Sequence, residues 1–363
     1  MNKELSELIR SMRLIMVIGL VFVHFGIFPG DSLNPFSGVV DAQFFYASSL
    51  NSFFTYFFLC SVPVLSMISG YLYSYNGIDS YSSMIKKKIK TLILPSIAWT
   101  SFWLLVAFIL HMIGKLTNLF SFYDQGFENY SLLDFLNGII GITEAPFAFQ
   151  FWFVHDLVLS LLISPILVAL LKRIGLLFVI FPFILWAIEI EPLVFFNFKV
   201  ISFFIVGLYA GVSGFQPKIP QQLGLYNFSI AIFIAMVLGR IYIPDFYKGQ
   251  MPYETQYELL LRIIGSIAII SMVFNIRLYL GYVYSALINR SGYAFYLHAS
   301  HYPLVIMIKL ILSMTGLFVG EIGLCALWII TIILTISFAI ISAEIIHRIT
   351  PAVYRFLNGQ RSI

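Results

Sequence analysis

The sequence carries very little charge. Only 10% of its 363 residues are Asp, Glu, Lys or Arg, whereas 60% are apolar and 17% are aromatic. A soluble protein contains about 25% charged residues, so most of this chain must face lipid or other apolar helices. The net charge is only +4, and the basic residues of the chain are scattered at helix ends. This distribution argues against a nucleic-acid partner.

Cysteine is also scarce. Cys60 and Cys325 both lie in apolar runs and have no partners at metal-ligand spacing, which argues against a disulfide framework or a structural metal site. We also expect no cleavable leader. Lys3 and Arg10 precede an apolar stretch, but no small-x-small cleavage site follows, so we expect an uncleaved first transmembrane helix.

Long apolar runs dominate what is present. A membrane-spanning helix needs roughly 20 mostly apolar residues, and the sequence predicts an all-α polytopic membrane protein with about ten transmembrane helices, in one integral membrane domain over residues 1–363. The predicted spans are about 11–28, 52–74, 91–113, 148–171, 174–190, 195–213, 225–243, 259–280, 291–314 and 322–345. The fifth and sixth are the weakest predictions, because they are short and flanked by proline.

The distribution of lysine and arginine predicts the orientation. With the N-terminus in the cytoplasm and ten spans, most of the 21 Lys and Arg residues fall on the cytoplasmic side. The positive-inside rule favours this arrangement, and it places the C-terminus in the cytoplasm too.

The first span carries one cation near each end, Arg13 and His24. They are eleven residues apart, almost three helical turns, so both should share one face with roughly 16 Å between them along the axis. Ionisable groups inside a membrane often mark functional sites. The alternative is that Arg13 is a snorkelling anchor and His24 a hydrogen-bonded interfacial residue.

Two further stretches contribute to the prediction. In "SVPVLSMISGYLYS" (61–74), Ser69 and Gly70 are small residues of the kind that let helices approach closely. The cluster of Lys86, Lys87, Lys88 and Lys90 is either a topological stop signal or a seat for an anionic cytoplasmic ligand, such as a nucleotide phosphate.

Two further stretches contain histidine, and in the predicted orientation the first of them lies close in depth to His24. In "FWFVHDLVLSLLISP" (151–165), an acid follows a histidine and could orient its ring, or both could cap an interfacial helix end with Trp152 as a belt aromatic. In "SGYAFYLHASHYPLVI" (291–306), His298 and His301 share a helix face. That pair could bind a metal, but no third ligand is evident.

Together these stretches resemble the membrane acyltransferase-3 family, integral membrane enzymes that acylate sugars and surface polysaccharides. Arg13 and His24 match its arginine, ten residues, histidine pattern. The matches then follow in order along nearly the whole chain: Pro63 to Ser69-Gly70, the basic segment from Lys86 to Pro95, Trp152-Phe153 with Asp156, "FFIVGLYAG" (203–211) and "FYLHASHYP".

The resemblance implies an acyltransferase that uses acetyl-CoA from the cytoplasm and acetylates a hydroxyl of a cell-surface polysaccharide or lipid-linked glycan. His24 would be the general base or a transient acyl carrier. The other implied site residues are Asp156 as a second catalytic residue, and Arg13, Lys86, Lys87, Lys90, Ser69, Trp152, His155 and His301 as substrate-binding residues. No permanently bound cofactor or metal is expected.

The resemblance also implies the surroundings of the protein. We expect a multi-pass protein of the bacterial inner (cytoplasmic) membrane whose partners are acetyl-CoA, the glycan acceptor and membrane lipid. The oligomeric state stays open, with a homodimer as one option. Acceptor choice should lie in outer loops such as 114–147 and 244–258.

The sequence departs from the family pattern at three places. His155-Asp156 stands where many members have two acids, and the basic segment contains lysine where many relatives use arginine. The late element has two extra residues, so its counterpart is His298 or His301; we favour His301 because it keeps the histidine-x-proline spacing with Pro303.

Two other functions fit the same composition. A transporter or flippase would also have many spans with intramembrane ionisable groups. Against this, no internal repeat is visible, and Asp156, Glu189, Glu191 and Glu344 all lie near span ends. A non-catalytic relative or partner subunit is the third alternative.

Overall fold

The structure is a computed structural model, and the account below covers the residues that it describes. These are 3–28, 43–75, 81–112, 127, 130–141, 143, 146–190, 197–216, 224–243 and 253–361. The proposed acceptor loops, 114–147 and 244–258, lie largely outside these ranges, as do the first residues of the predicted span 195–213 and the last residue of 91–113.

Within the described residues the chain is all-helical, as predicted. The α-helices are α1 (Lys3–Val23), α2 (Phe45–Phe58), α3 (Ser61–Tyr75), α4 (Tyr81–Lys88), α5 (Leu94–Met112), α6 (Leu132–Ile140), α7 (Trp152–Leu162), α8 (Ser164–Ile174), α9 (Leu176–Ala187), α10 (Phe198–Val212), α11 (Gly224–Tyr242), α12 (Glu254–Tyr279), α13 (Gly281–Arg290), α14 (Ala294–Met314), α15 (Gly320–Ile349) and α16 (Pro351–Leu357). A π-helical turn (Ile89–Ile93) joins α4 to α5, and 3₁₀ turns (Phe149–Phe151 and Ser291–Tyr293) precede α7 and α14.

Five of the described helical stretches are long and apolar enough to cross a membrane. They are Phe45–Tyr75, Tyr81–Met112, Glu254–Tyr279, Gly281–Met314 and Gly320–Ile349. A sixth is possible if the bent pair Phe149–Leu162 and Ser164–Ile174 forms one span. The protein is therefore helical with several candidate spans, while the count of ten and the cytoplasmic placement of both ends stay predictions.

The predicted fourth span, 148–171, is not one straight helix. Its two halves meet at an angle of 62° at Ile163. The cause is local, because Pro165 lies in the first turn of α8 and has no N–H to continue the hydrogen-bond ladder of α7. The bend turns α7, which carries Trp152, His155 and Asp156, away from the direction of α8.

Helix α1 lies at the centre of the bundle. It packs against α2, α3, α12, α13, α14 and α15, and its apolar side chains are buried on most sides, including the fully buried Met16 and Val21. A helix that is apolar all round belongs in the interior of a bundle. Arg13 and His24 therefore point at protein, not at lipid, and both are half-buried.

Helices α3 and α10 are in unusually close contact. A Cβ atom at Gly70 would overlap the carbonyl oxygen of Phe204, and one at Gly207 would overlap the carbonyl oxygen of Met67. Gly211, one turn further along α10, lies against the side chain of Ser74. Small residues let membrane helices pack backbone to backbone, as the sequence predicted for Ser69-Gly70.

We expect Gly207→Ala to destabilise the protein by about 1–3 kcal/mol, the usual cost of overpacking. The added methyl group would meet backbone, which cannot move aside as a flexible side chain can. Gly281→Ala is the matched control, since a Cβ there meets nothing within 4 Å. Thermal unfolding of the detergent-purified protein measures both, and equal midpoints for the two variants would contradict this account of the contact.

Candidate active site

His24 lies immediately after the last residue of α1. Its backbone N–H still bonds to the carbonyl of Leu20 at 3.0 Å, and the N–H of Phe25 bonds to Phe22 at 3.2 Å. Gly26 then adopts a φ of 65°, a left-handed conformation that ends the helix at low cost. His24 thus stands at a helix end, and the predicted first span, 11–28, is helical only as far as Val23, in a helix that begins at Lys3.

The turn that carries His24 is held by two side chains from other helices. The ammonium group of Lys309 donates to the carbonyls of Phe25 (2.6 Å) and Ile27 (2.7 Å). The amide of Asn51 donates to the carbonyl of Gly26 at 2.8 Å, and Trp328 in turn donates to Asn51 at 3.1 Å. Carbonyls left over at a helix end need such partners when water is absent.

The imidazole ring of His24 is paired with that of His301. Nδ1 of His24 lies 2.7 Å from Nε2 of His301, and the ring planes differ by only 3°. Nδ1 of His301 lies 2.7 Å from the carbonyl of His298, and a carbonyl can only accept. The proton of a neutral His301 is therefore on Nδ1, and its Nε2 accepts from Nδ1–H of His24.

This chain of hydrogen bonds determines which ring nitrogen of His24 carries no proton. With the proton on Nδ1, the lone pair is on Nε2, which has no hydrogen-bond partner among the described residues. His24 lines a cavity of about 800 Å³, so an unprotonated, partner-free nitrogen is available at its wall. A histidine in this tautomer is equipped to take a proton or to act as a nucleophile.

Pro303 explains why α14 can hold its neighbours so closely. Proline has no N–H, so the carbonyl of Ala299, four residues earlier, loses its helical donor. Gln150 donates to that carbonyl at 2.7 Å, and the indole of Trp103 lies at 3.3 Å. The proline of the histidine-x-proline element thereby ties α14 to the segment before α7, beside His301.

Pro63 has the same effect at the opposite wall. It leaves the carbonyl of Leu59 without a helical donor, and the guanidinium of Arg262 donates to that oxygen at 2.7 Å. Arg262 is 6% exposed and pairs weakly with Glu258 at 3.5 Å. Arg262 and Leu59 both line the cavity that His24 also lines.

The cavity collects most of the predicted residues of this end of the bundle. Trp152, His155 and Asp156 from α7 line it together with His24 and His298. Its other polar lining residues are Gln150, Glu189, Asn197, Lys199, Thr255 and Arg262, and its aromatic ones include Phe58, Phe149, Phe153, Trp186 and Phe198. The mixture of aromatic surfaces and hydrogen-bonding groups suits a polar ligand of sugar size.

Asp156 has partners other than His24. Its Oδ2 accepts from the backbone N–H of Asn197 at 3.0 Å, at the start of α10, and its Oδ1 lies 3.4 Å from Nδ1 of His155. Through the contact with Asn197, Asp156 holds the start of α10 against α7 at the cavity wall. The ring of His24 is oriented by His301, and a catalytic role for Asp156 stays a prediction.

The two histidines of α14 have different surroundings. His301 is fully buried and bonded to His24, and its assignment as the family counterpart stays a prediction. His298 borders the cavity and packs edge-on against Phe151 and Phe153, and neither of its ring nitrogens has a hydrogen-bond partner among the described residues. In the part of the chain that the structure describes, no group of three or more His, Cys, Asp or Glu is placed to hold a metal.

Arg13 lies with two other cations, Lys88 and Arg361. The three charges are near enough to repel one another, and Lys87 adds to the repulsion at Lys88. Burial and the charge of Arg13 lower the pKa of the Arg361 guanidinium to about 10.

The remaining predicted residues are placed less centrally. Lys86, Lys87 and Lys90 are exposed on the lysine segment, where Lys88 is the half-buried member. The hydroxyl of Ser69 donates to the carbonyl of Leu65 in its own helix, at 2.8 Å. A substrate-binding role for these four residues stays a prediction.

Sequence reasoning missed Gln150, Arg262, Lys309 and Arg361 as residues of the site. Pro63 and Pro303 were signals, because each predicts an unpaired carbonyl four residues earlier. Which side chain satisfies that carbonyl depends on helices that are distant in the sequence.

Comparison with known proteins agrees with the resemblance. The profile of the acyltransferase domain family matches residues 8–344. The chain is similar to the succinoglycan biosynthesis protein ExoH of Rhizobium meliloti (strain 1021), with 26% identity over 379 residues, covering 100% of this chain and 94% of that protein. No solved structure matches the chain. Because the family profile covers nearly the whole sequence, including His24 and His301, this protein belongs to the acyltransferase-3 family.

Proposed function

We propose that the protein is an O-acetyltransferase that takes an acetyl group from cytoplasmic acetyl-CoA to a hydroxyl of a cell-surface polysaccharide or lipid-linked glycan. It would act in the bacterial inner membrane, with about ten spans and both chain ends in the cytoplasm. The observation that carries the proposal is the His24–His301 pair, which presents an unprotonated nitrogen to a cavity of about 800 Å³.

In the proposed reaction, Nε2 of His24 accepts the proton of the acceptor hydroxyl. The oxygen then attacks the thioester carbonyl, a C–O bond forms, the C–S bond breaks, and the CoA sulfur leaves with the proton returned from His24. His301 keeps the ring of His24 in the required tautomer. It accepts a hydrogen bond from Nδ1–H of His24, and this hydrogen bond strengthens when His24 becomes charged. The same nitrogen could instead carry the acetyl group transiently.

Two findings support a polysaccharide acceptor. The family is one of acyltransferases, and the similar protein from Rhizobium meliloti is named for succinoglycan biosynthesis. The cavity wall offers Trp152 and Phe149 as flat apolar surfaces, with Gln150, Asn197 and Asp156 as polar groups near them. In the proposal Trp152 and His155 contact the acceptor, and Arg13 with the lysine segment holds the donor.

The decisive variant is His24→Ala. We expect transfer from labelled acetyl-CoA to the glycan to fall at least about 10²-fold, because the base or nucleophile is removed. Expression and thermal stability should persist, since His24 sits at a cavity wall. His111→Ala, on α5 and outside the cavity lining, is the matched control. A fully active His24→Ala would end the catalytic role and favour a transporter or a non-catalytic partner.

His301→Phe separates the histidine pair from simple packing. Phenylalanine fills the buried space but cannot accept the proton of His24 Nδ1. We expect kcat to fall at least about 10²-fold, with little change in KM for acetyl-CoA. His298→Phe is the comparison at the neighbouring position, and a larger loss there than at His301 would contradict the proposed pairing.

The pH dependence tests the base. Only unprotonated His24 can accept the hydroxyl proton, so kcat/KM should rise with pH until His24 has lost its proton and then level off. Initial rates in proteoliposomes between about pH 5 and 8 would show it. A kcat/KM that falls as the pH rises across that range would argue against His24 as general base.

A further inference from the structure

The C-terminal segment, residues 351–361, folds back into the end of the bundle that contains Arg13. Helix α16 ends at Leu357, whose carbonyl accepts from the indole of Trp99 at 3.0 Å. The backbone of Gly359, with a φ of 62°, then runs against the carbonyl of Thr91 in the π-helical turn. A side chain at position 359 would not fit there, so the close approach requires glycine.

Asn358 fixes this segment to the helix that carries the histidine pair. Its side-chain oxygen accepts from the N–H of Tyr296 at 3.1 Å, and its amide donates to the carbonyl of Gly292 at 2.9 Å. These two backbone groups stand four residues apart at the start of α14, so the amide replaces one helical hydrogen bond. Asn358 is fully buried, which makes the attachment rigid.

The attachment determines where Arg361 lies. Its guanidinium stacks over the ring of Phe295 at 4.7 Å and donates to the carbonyl of Asn358 at 3.1 Å. The same segment lies beside both α1 and the lysine segment, because Asn358 bonds to Gly292 in the 3₁₀ turn that packs against α1, and Gly359 lies against Thr91, three residues after Lys88. The charge of Arg361 acts there on Arg13 from α1 and on Lys88 from α4. Three cations from three separate parts of the chain thus converge at one place.

This convergence is not balanced by acids. The carboxylates on the same side of the bundle are engaged elsewhere: Glu4 with Arg277, Glu7 with Lys3 and Glu344 with Arg348. Arg10 also has partners, Ser291 and the carbonyl of Ile288. Within the described residues, Arg13 and Lys88 form no side-chain hydrogen bond or ion pair. Holding three like charges together costs free energy unless an anion binds between them.

We propose that Arg361, together with Arg13 and Lys88, forms a phosphate-binding site whose ligand is the diphosphate of CoA. This inference rests on the proposed function and adds to it a donor-binding residue from the C-terminal segment. Two guanidinium groups can each hold phosphate oxygens with two parallel N–H bonds. Phe295, under Arg361, is six residues before His301, or roughly 9 Å along α14, a distance that an extended pantetheine arm can cover.

The test is a binding titration of CoA to the purified full chain in nonionic detergent. We expect Arg361→Gln to raise the Kd for CoA at least about tenfold, the loss expected for charged hydrogen bonds. Arg355→Gln is the matched control, because it removes the same charge from an exposed position of the same segment. Pantetheine, which lacks phosphate, should bind all variants alike. Lys88→Gln should also weaken CoA binding. Because Lys88 lies outside residues 351–361, this variant should leave the attachment of the C-terminal segment intact.

The outcomes separate this inference from the proposed function. An unchanged Kd in Arg361→Gln would overturn the inference, even if acetyl transfer proceeds normally. A Kd raised only in Arg361→Gln and Lys88→Gln would support it, even if no acetylated glycan is found. A third outcome is that the wild-type protein binds no CoA, while phosphatidylglycerol raises the unfolding temperature of the wild type but not that of Arg361→Gln. The ligand is then a lipid headgroup, and the assignment to CoA is wrong.

Discussion

Every backbone polar group inside an apolar bundle needs a partner from the protein itself, because water is not there to supply one. This constraint organises the site. Pro63 and Pro303 each remove a helical donor, and the freed carbonyls of Leu59 and Ala299 are satisfied by Arg262 and by Gln150 with Trp103. The end of α1 leaves further carbonyls, which Lys309 and Asn51 satisfy. The polar side chains at the cavity are there partly because the backbone requires them.

The same hydrogen bonds give His24 a single orientation. The turn beyond α1 is held by Lys309 and Asn51, and the ring is held by His301. His301 is in turn fixed by the carbonyl of His298, which determines the tautomer of both rings. Pre-arranged groups cost no reorganisation during reaction. A rigid histidine at the wall of a cavity is what a proton-transfer or acyl-transfer step needs.

Charge is divided unequally between the two ends of α1. At the His24 end, cations such as Arg262 and Lys309 are hydrogen-bonded to backbone carbonyls and take part in holding the fold. At the Arg13 end, Arg13, Lys88 and Arg361 are brought together without an acid among the described residues. Helix α14 connects the two regions, because Phe295 touches Arg361 and His301 touches His24. Donor binding and transfer can therefore be linked through one helix.

The sequence by itself determined that the chain is an all-helical membrane protein, that Gly70 marks a close helix contact, and that Arg13, His24 and His301 belong to an acyltransferase-3 pattern. The first two inferences depend on composition and on local order along the chain, which a sequence displays directly, and the third is what the resemblance to that family implies. Only the tertiary structure decided that His301 rather than Asp156 orients His24, that the fourth predicted span bends at Ile163, and that Arg361 joins Arg13. Each of these depends on which distant segments meet, and that is set by packing and by the pairing of backbone groups, neither of which has a short-range signature.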